Sequence, residues 1–317
     1  MKNFGLIGAA GYIAPRHMKA IKDTGNKLVA TMDLNDSIGQ MDTYFPEASF
    51  FTEFERFDRH VDKLRRSKDQ AIDYMSICSP NYMHDSHIRF SLRSGLDVIC
   101  EKPLVLNSRN LDSLRSIEKE TGKKINNILQ LRMHPSIVQL KDKIQQDERN
   151  TKYEVDLTYI TSRGLWYLYS WKGDDEKSGG IATNIGVHFF DMLSFLFGEP
   201  TDNKVHFMSK VCASGYLEYS NARVSWFLSI DSKDLPLDQV NSNKTTYRSI
   251  KIDGENLEFT EGFTDLHTRC YEDILLNQGF GIEDARPSIE AVELIRNTKP
   301  NMPSECHPFL REKLNRK

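Results

Sequence analysis

Through the first part of the chain, short apolar runs alternate with stretches in which apolar residues recur at helical spacing. Residues 3–7 (NFGLI) form one run, the turn GAAGYIA follows, and Ile13, Ala14, Met18 and Ile21 then repeat with helical period, which predicts strand, tight turn and helix. Pro15 suits a first helical turn, where its missing N–H has no partner to lose, and Gly25 suits the stop. Residues 27–32 read as a second strand closed by Asp33. The run 72–78 (IDYMSIC), a helical pattern reaching Gly95 and the run 97–100 (DVIC) repeat the unit. Such alternation predicts an α/β fold with a doubly wound parallel sheet and ligands bound beyond the carboxyl ends of its strands. Residues 79–81 and 101–103 occupy two of those ends.

After about residue 131 the rhythm changes. A helical stretch from His134 is followed by period-two strand candidates at 152–162, 204–211, 223–230 and 246–252, and helical patterns close the chain at 265–277 and 288–297. Consecutive strands predict an α+β domain with a large open, mainly antiparallel sheet. The expected division is therefore a first domain over 1–131 and a second over 132–317. The apolar stretch 188–198 contains Asp191 and falls far short of the ~20 residues a membrane helix needs, so a soluble protein is expected.

Composition narrows the partners. Over 317 residues, 42 Lys and Arg against 45 Asp and Glu leave a net charge of −3, which excludes a global attraction for nucleic acid. The basic end at 310–317 reads as a solvated helix terminus. Five cysteines, Cys78, Cys100, Cys212, Cys270 and Cys306, show no CxxC spacing and cannot all pair within one chain, which fits a reduced cytoplasm. Residues 1–14 look superficially like a signal peptide, but their glycine spacing explains them better.

That spacing is the first chemical signal. Gly8, Gly11, Tyr12 and Ile13 lie between a predicted strand and a predicted helix, where glycines let the backbone approach a pyrophosphate. Asp33 follows Gly11 by about 20 residues, at the end of the second strand, where a carboxylate accepts hydrogen bonds from a ribose and repels a 2′-phosphate. NAD is therefore expected rather than NADP. Alternative readings are a plain tight turn for the glycines and an Asx cap for Asp33.

Ser79-Pro80-Asn81 with His84, followed by Cys100-Glu101-Lys102-Pro103, resembles the SPN…H and CEKP motifs of the glucose-fructose oxidoreductase and inositol dehydrogenase family. Ser178-Gly179-Gly180 and the stretch from Asn184 through Gly186 and His188 to Asp191 resemble the family's second-domain motif. The resemblance implies a Rossmann domain with Ser79, Asn81, His84, Glu101 and Lys102 at the cofactor, and it implies that Lys102 and His188 serve the hydroxyl being oxidised. It assigns no metal. If residues 184–191 are helical, Asn184, His188 and Asp191 share a face. The family usually has Asp where this chain has Asn184, so no carboxylate stands there to favour a protonated imidazole, and either Lys102 or His188 can take the proton.

One subgroup is closer still. GAAGYIAPRHMKAIK, QLRMHP, TYITSRG, SGGIATNIGVHFFDML and FTDLHT resemble the bacterial UDP-N-acetyl-2-amino-2-deoxyglucuronate dehydrogenases of surface-polysaccharide (O-antigen) synthesis. The resemblance implies NAD-dependent oxidation of the C3 hydroxyl of UDP-N-acetylglucosaminuronic acid and a homo-tetramer, and in some members of the subgroup 2-oxoglutarate recycles NADH. Such a substrate carries a carboxylate and a diphosphate, so cationic partners are expected, with Arg163 foremost beside Asn184. Gln130, with Arg132 nearby, and Trp166 are candidates for the nicotinamide side. Competing expectations are an NAD-assisted glycosidase of the same family, a dehydrogenase of another sugar or inositol, and an NAD-binding regulatory module.

Overall fold

The computed structural model describes residues 1–67, 69–257, 265–303 and 305–316, and the chain divides into two compact units. The first comprises Met1–Gln130 and Asp265–Arg286; the second comprises Leu131–Thr264 and Pro287–Lys317.

The first unit is built on six parallel strands, β1 (Asn3–Ile7), β2 (Lys27–Met32), β3 (Ser49–Phe51), β4 (Tyr74–Ile77), β5 (Asp97–Cys100) and β6 (Ile125–Asn127), in the order β3-β2-β1-β4-β5-β6. The reversal of order lies between β1 and β4, so the turns after these strands occupy the switch point where such sheets bind ligands. The expected doubly wound parallel sheet is present. Phe4, Leu6, Ile77, Val98 and Ile99 are fully buried in it, as strands covered on both faces require.

One expectation needs correction. Residues 265–286, assigned by sequence to the second domain, belong to the first unit. The helix Leu266–Leu275 buries Leu266, His267, Cys270, Tyr271 and Ile274, and the Tyr271 ring lies 5.8 Å from that of Phe4. Beyond it, the Asn127 amide donates to the Phe280 carbonyl at the end of β6. Periodicity shows that such a helix has an apolar face but not which core covers that face.

The second unit carries β7 (Tyr153–Thr161), β8 (Asp202–Met208), β9 (Cys212–Glu218), β10 (Ala222–Ser229), β11 (Thr246–Ile252) and β12 (Glu255–Asn256), in the order β12-β11-β7-β10-β9-β8. The sheet is mostly antiparallel as expected, but its central pair, β7 and β10, runs parallel. One face receives the helix Val187–Phe197, with Phe189 4.8 Å from Tyr159 and Phe190 edge-on to Trp226 at 5.4 Å. The other face buries Ile160, Cys212 and Phe227 against Leu235 and Leu310.

The helical run Asp175–Phe197 is long and apolar enough by composition to cross a membrane, contrary to the expectation of a short greasy stretch, but it is mostly buried. Its apolarity serves the core over the sheet. Within this run Ala182–Gly186 forms a π-helical turn. Gly186 makes that turn possible at close range, because a Cβ there would stand 2.6 Å from Leu228 on β10 and 2.8 Å from Phe190. Replacing Gly186 with Val therefore overpacks the seam between π turn and sheet, and we expect a loss of about 1–3 kcal/mol in a denaturant titration.

Candidate active site

The glycine turn is shaped by its backbone. Gly8 has φ +93°, and a Cβ there would lie 2.6 Å from the Cys78 carbonyl carbon and the Ser79 nitrogen, so only glycine fits. The Gly11 amide closes the turn on the Gly8 carbonyl at 3.1 Å. Among the described residues, the amides of Tyr12 and Ile13 donate to no partner, and they open the helix Ala14–Asp23. This is the arrangement that receives an anion at a helix N-terminus. Asp33 binds both sides of the site: one carboxylate oxygen accepts from the Ala10 amide at 2.9 Å, the other from the Asn35 amide at 2.9 Å. The Asx-turn reading and a link to the glycine turn are thus both present, with the carboxylate still partly exposed.

The turns after β4 and β5 are fastened together by buried groups. His84, 1% exposed, sets Nε2 2.8 Å from the Ser79 carbonyl oxygen and Nδ1 2.7 Å from the Pro103 carbonyl oxygen, and a neutral ring donates to one of the two. Ser79 Oγ pairs with His87 Nδ1 at 2.9 Å, and Asn81 is buried nearby in the turn Asn81–Met83. His84, expected at the cofactor, has its ring engaged in this bridge. The Lys102–Pro103 peptide is cis.

Glu101 is 5% exposed, and both its oxygens are engaged. Oε1 accepts from His17 Nε2 at 3.0 Å and from His267 Nε2 at 2.9 Å, while Oε2 accepts from the Lys102 amide at 3.1 Å. His17 Nδ1 lies 2.7 Å from the Tyr271 hydroxyl, which lies 2.6 Å from Ser76 Oγ. Burial alone would raise the Glu101 carboxyl, but the hydrogen bonds from the two imidazoles hold it well below the usual carboxylate range. Burial lowers Lys102 from the ordinary lysine value, and the Glu101 charge opposes that lowering. None of His17, His267 and Tyr271 was anticipated as part of the site. The available signals were a histidine within the cofactor-loop helix and the histidine of FTDLHT, and neither shows in the sequence that the two meet at Glu101.

In the second unit, Asn184 and His188 are the only residues between 181 and 194 that are not buried. Asn184 donates through its amide to the Tyr167 hydroxyl. His188 packs 4.3 Å from the Phe189 ring and edge-on to Tyr159 at 5.7 Å. Asp191 instead forms a two-point ion pair with the buried Arg132, at 2.7 and 3.1 Å. Arg132, a candidate for the nicotinamide side, is thus engaged with Asp191 inside the second unit.

Arg163 is exposed, and its charge acts on Tyr167. Arg248, not anticipated, stands opposite Tyr159 in the β11–β7 ladder, with its guanidinium 5.6 Å from the Tyr159 ring and 5.9 Å from Phe189. The side-chain amide oxygen of Gln130 is buried without a hydrogen-bond partner among the described residues, and Trp166 is 56% exposed on a short helix. Of the FTDLHT motif, Phe263 and Thr264 lie outside the described residues.

Residues 2–128 match the oxidoreductase family's NAD-binding Rossmann fold, and residues 141–237 match that family's C-terminal alpha/beta domain. The chain belongs to this oxidoreductase family. It is similar to the WlbA (WbpB) dehydrogenase from Thermus thermophilus, which has been crystallised with NAD and alpha-ketoglutarate; the TM-score is 0.93 and the identity 47%, covering 98% of this chain and 100% of that one. A second structure of the Thermus protein, with NAD and UDP-GlcNAcA, is similar at TM-score 0.93 and 46% identity, over 98% of this chain and 100% of that one. Among curated relatives, Inositol 2-dehydrogenase of Rhizobium meliloti (strain 1021) is 28% identical over 204 residues, 62% of this chain and 55% of that protein. The chain thus spans about half the length of the first curated relatives it matches.

The pKa directions set the acid stability. Burial lowers His17 and His84, and burial with the His84 charge pushes His87 down to about 4. Each depressed group contributes stability that is present above its unfolded value and lost as pH falls towards the folded one. For the histidines that loss begins below about pH 6.5, and Glu101 extends it through the carboxylate range. The urea midpoint is expected to be flat between about pH 7 and 8 and to fall steadily below about 6.5.

Proposed function

We propose that this chain is an NAD-dependent dehydrogenase that oxidises the C3 hydroxyl of UDP-N-acetylglucosaminuronic acid to the 3-keto sugar. The observation that carries the reading is its full-length similarity to the Thermus dehydrogenase crystallised with NAD and UDP-GlcNAcA. The crystallisation of that protein in complex with NAD and alpha-ketoglutarate supports 2-oxoglutarate as the agent that recycles the cofactor here. Cytoplasmic work in surface-polysaccharide synthesis, as a homo-tetramer, completes the proposal.

When bound, NAD⁺ supplies the hydride acceptor. The residues present fit it: the Gly8 turn leaves no room for a Cβ, the Tyr12 and Ile13 amides suit a pyrophosphate, and the partly exposed Asp33 suits a ribose. Ser79, Asn81, His84, Glu101, Lys102, Gln130 and Trp166 complete the proposed cofactor set, with His84 and Glu101 acting through the turns they hold. Lys102 and His188 are assigned to the hydroxyl: one removes its proton and the other stabilises the charge developing on oxygen. Burial lowers the proton affinity of Lys102, the direction that favours release of its proton. Asn184 and Arg163 serve the sugar, and Arg248 serves an anionic group of it, since it stands beside the Tyr159 and Phe189 rings that flank His188.

Incubation with UDP-N-acetylglucosaminuronic acid and NAD⁺ is expected to raise the near-ultraviolet absorbance of NADH, and 2-oxoglutarate is expected to remove it. Lys102→Met should cut kcat by about 100-fold or more. Release of free sugar without net NADH would replace this reading with the glycosidase. Arg248→Ala is expected to raise the KM for the UDP-sugar roughly tenfold or more, the worth of a charge-assisted hydrogen bond, without changing the KM for NAD.

A further inference from the structure

Ser76, Tyr271, His17, Glu101 and His267 form one continuous hydrogen-bonded chain inside the first unit, and all five are buried. Its polarity follows from the ionised carboxylate at its end. A carboxylate only accepts, so His17 and His267 must each donate through Nε2. His17, neutral in its buried place, then accepts at Nδ1 from the Tyr271 hydroxyl, and the Tyr271 oxygen accepts from Ser76. Every donor in the chain points towards Glu101. The third hydrogen bond to that carboxylate comes from the backbone amide of Lys102, the neighbouring residue assigned to the chemistry.

We propose that His267, supplied by the returning segment Asp265–Arg286, is a positioning residue for Lys102 that acts through the Glu101 carboxylate. This rests on the assignment of Lys102 to the reacting hydroxyl. Glu101 Oε1 has two N–H donors, one from the helix Ala14–Asp23 and one from the helix Leu266–Leu275. With both in place the buried carboxylate stays charged, holds the Lys102 amide and favours the Lys102 ammonium. Without His267, half the N–H donation to that oxygen is gone, the burial penalty is no longer offset, and the field at Lys102 weakens.

The other groups that face this carboxylate do not replace it. Arg16 acts on His17 from the helix Ala14–Asp23, and His84, lowered by burial, acts from the helix His84–Arg93. Cys78 at the end of β4, Cys100 at the end of β5, and Cys270 and Tyr271 on the helix Leu266–Leu275 are all pushed up by burial and stay protonated at neutral pH. Asp33 acts on Cys78 at longer range. The ligand atoms of His17, Glu101 and His267 lie within 4.8 Å of one another, a composition that also suits a metal ion. Direct contacts of 2.9 and 3.0 Å between the imidazoles and one carboxylate oxygen are instead those of hydrogen bonds.

The test compares the full-length wild type with His267→Leu, which removes the donor, and His267→Gln, which keeps one at similar reach. Thermal melting establishes that each variant is folded. The titration of Lys102 is followed by NMR on protein whose lysines carry ¹³C-methyl groups, the signal being assigned by its loss in Lys102→Arg. In His267→Leu the Lys102 titration is expected to move about one pH unit lower, a tenfold change in its protonation equilibrium, and His267→Gln should restore it. The limb of the kcat–pH profile governed by Lys102 should move in the same direction. An unmoved titration in folded His267→Leu overturns the proposal, as does a His267→Gln variant that behaves like His267→Leu. Stoichiometric zinc in the wild type that His267→Leu lacks would overturn it in favour of a metal centre. Because the NMR measurement needs no substrate, it decides this proposal even if the wild type never reduces NAD with the UDP-sugar, an outcome that would sink only the functional reading.

Discussion

A carboxylate removed from water must find N–H groups to replace its solvent, or it gives up its charge. Glu101 meets that constraint at the end of β5, next to the lysine on which the proposed chemistry depends. Its three hydrogen bonds come from its own neighbour's backbone, from the helix that follows the glycine turn, and from a histidine 166 residues downstream. Residues 1–130 by themselves supply only two of them. Folding of residues 265–286 onto the first unit is therefore what completes the solvation of this charge, and it gives that excursion of the chain a chemical reason beyond covering apolar surface.

The second unit separates tasks that the sequence pattern runs together. Asn184, His188 and Asp191 are spaced to share a helical face, yet Asp191 is committed to Arg132 inside the core while Asn184 and His188 remain accessible. The π-helical turn at 182–186 lies immediately before His188, and such turns, which open the helical hydrogen-bond ladder, recur at functional sites. Here a Cβ at Gly186 would meet the Leu228 side chain of β10 at 2.6 Å, so glycine lets the turn pack closely on that strand. A closely packed seam beneath a half-buried imidazole keeps that imidazole in one place.

Much of this was legible in the sequence. The strands at 3–7, 27–32 and 97–100 coincide with β1, β2 and β5 because apolar runs bounded by turn residues leave little choice. Strand β3 has only three residues, too few for a period to show. Strand β9, CASGYLE, is buried at nearly every position and so lacks the alternation that reveals a half-exposed strand. The parallel pairing of β7 with β10 was hidden for another reason, since order along the chain does not state which strands become neighbours. In the site, motif residues were readable wherever backbone geometry demands a residue type, as at Gly8. The partners of Glu101 were not, because His17 and His267 become a pair only through tertiary packing.

Asn184 gives the Glu101 network its weight. Where the family pattern has an aspartate, this chain has an amide that donates to Tyr167 and carries no charge. A fixed anion that could favour a cationic imidazole at His188 is thereby removed from that position. For Lys102 the corresponding anion is Glu101, whose charge works against the lowering that burial imposes. The two candidate proton carriers thus stand in different fields, one beside a neutral amide and two aromatic rings, the other beside a carboxylate held ionised by two histidines. Changing the field at one of them therefore tells the two roles apart, and Glu101, His17 and His267 all belong to the first unit.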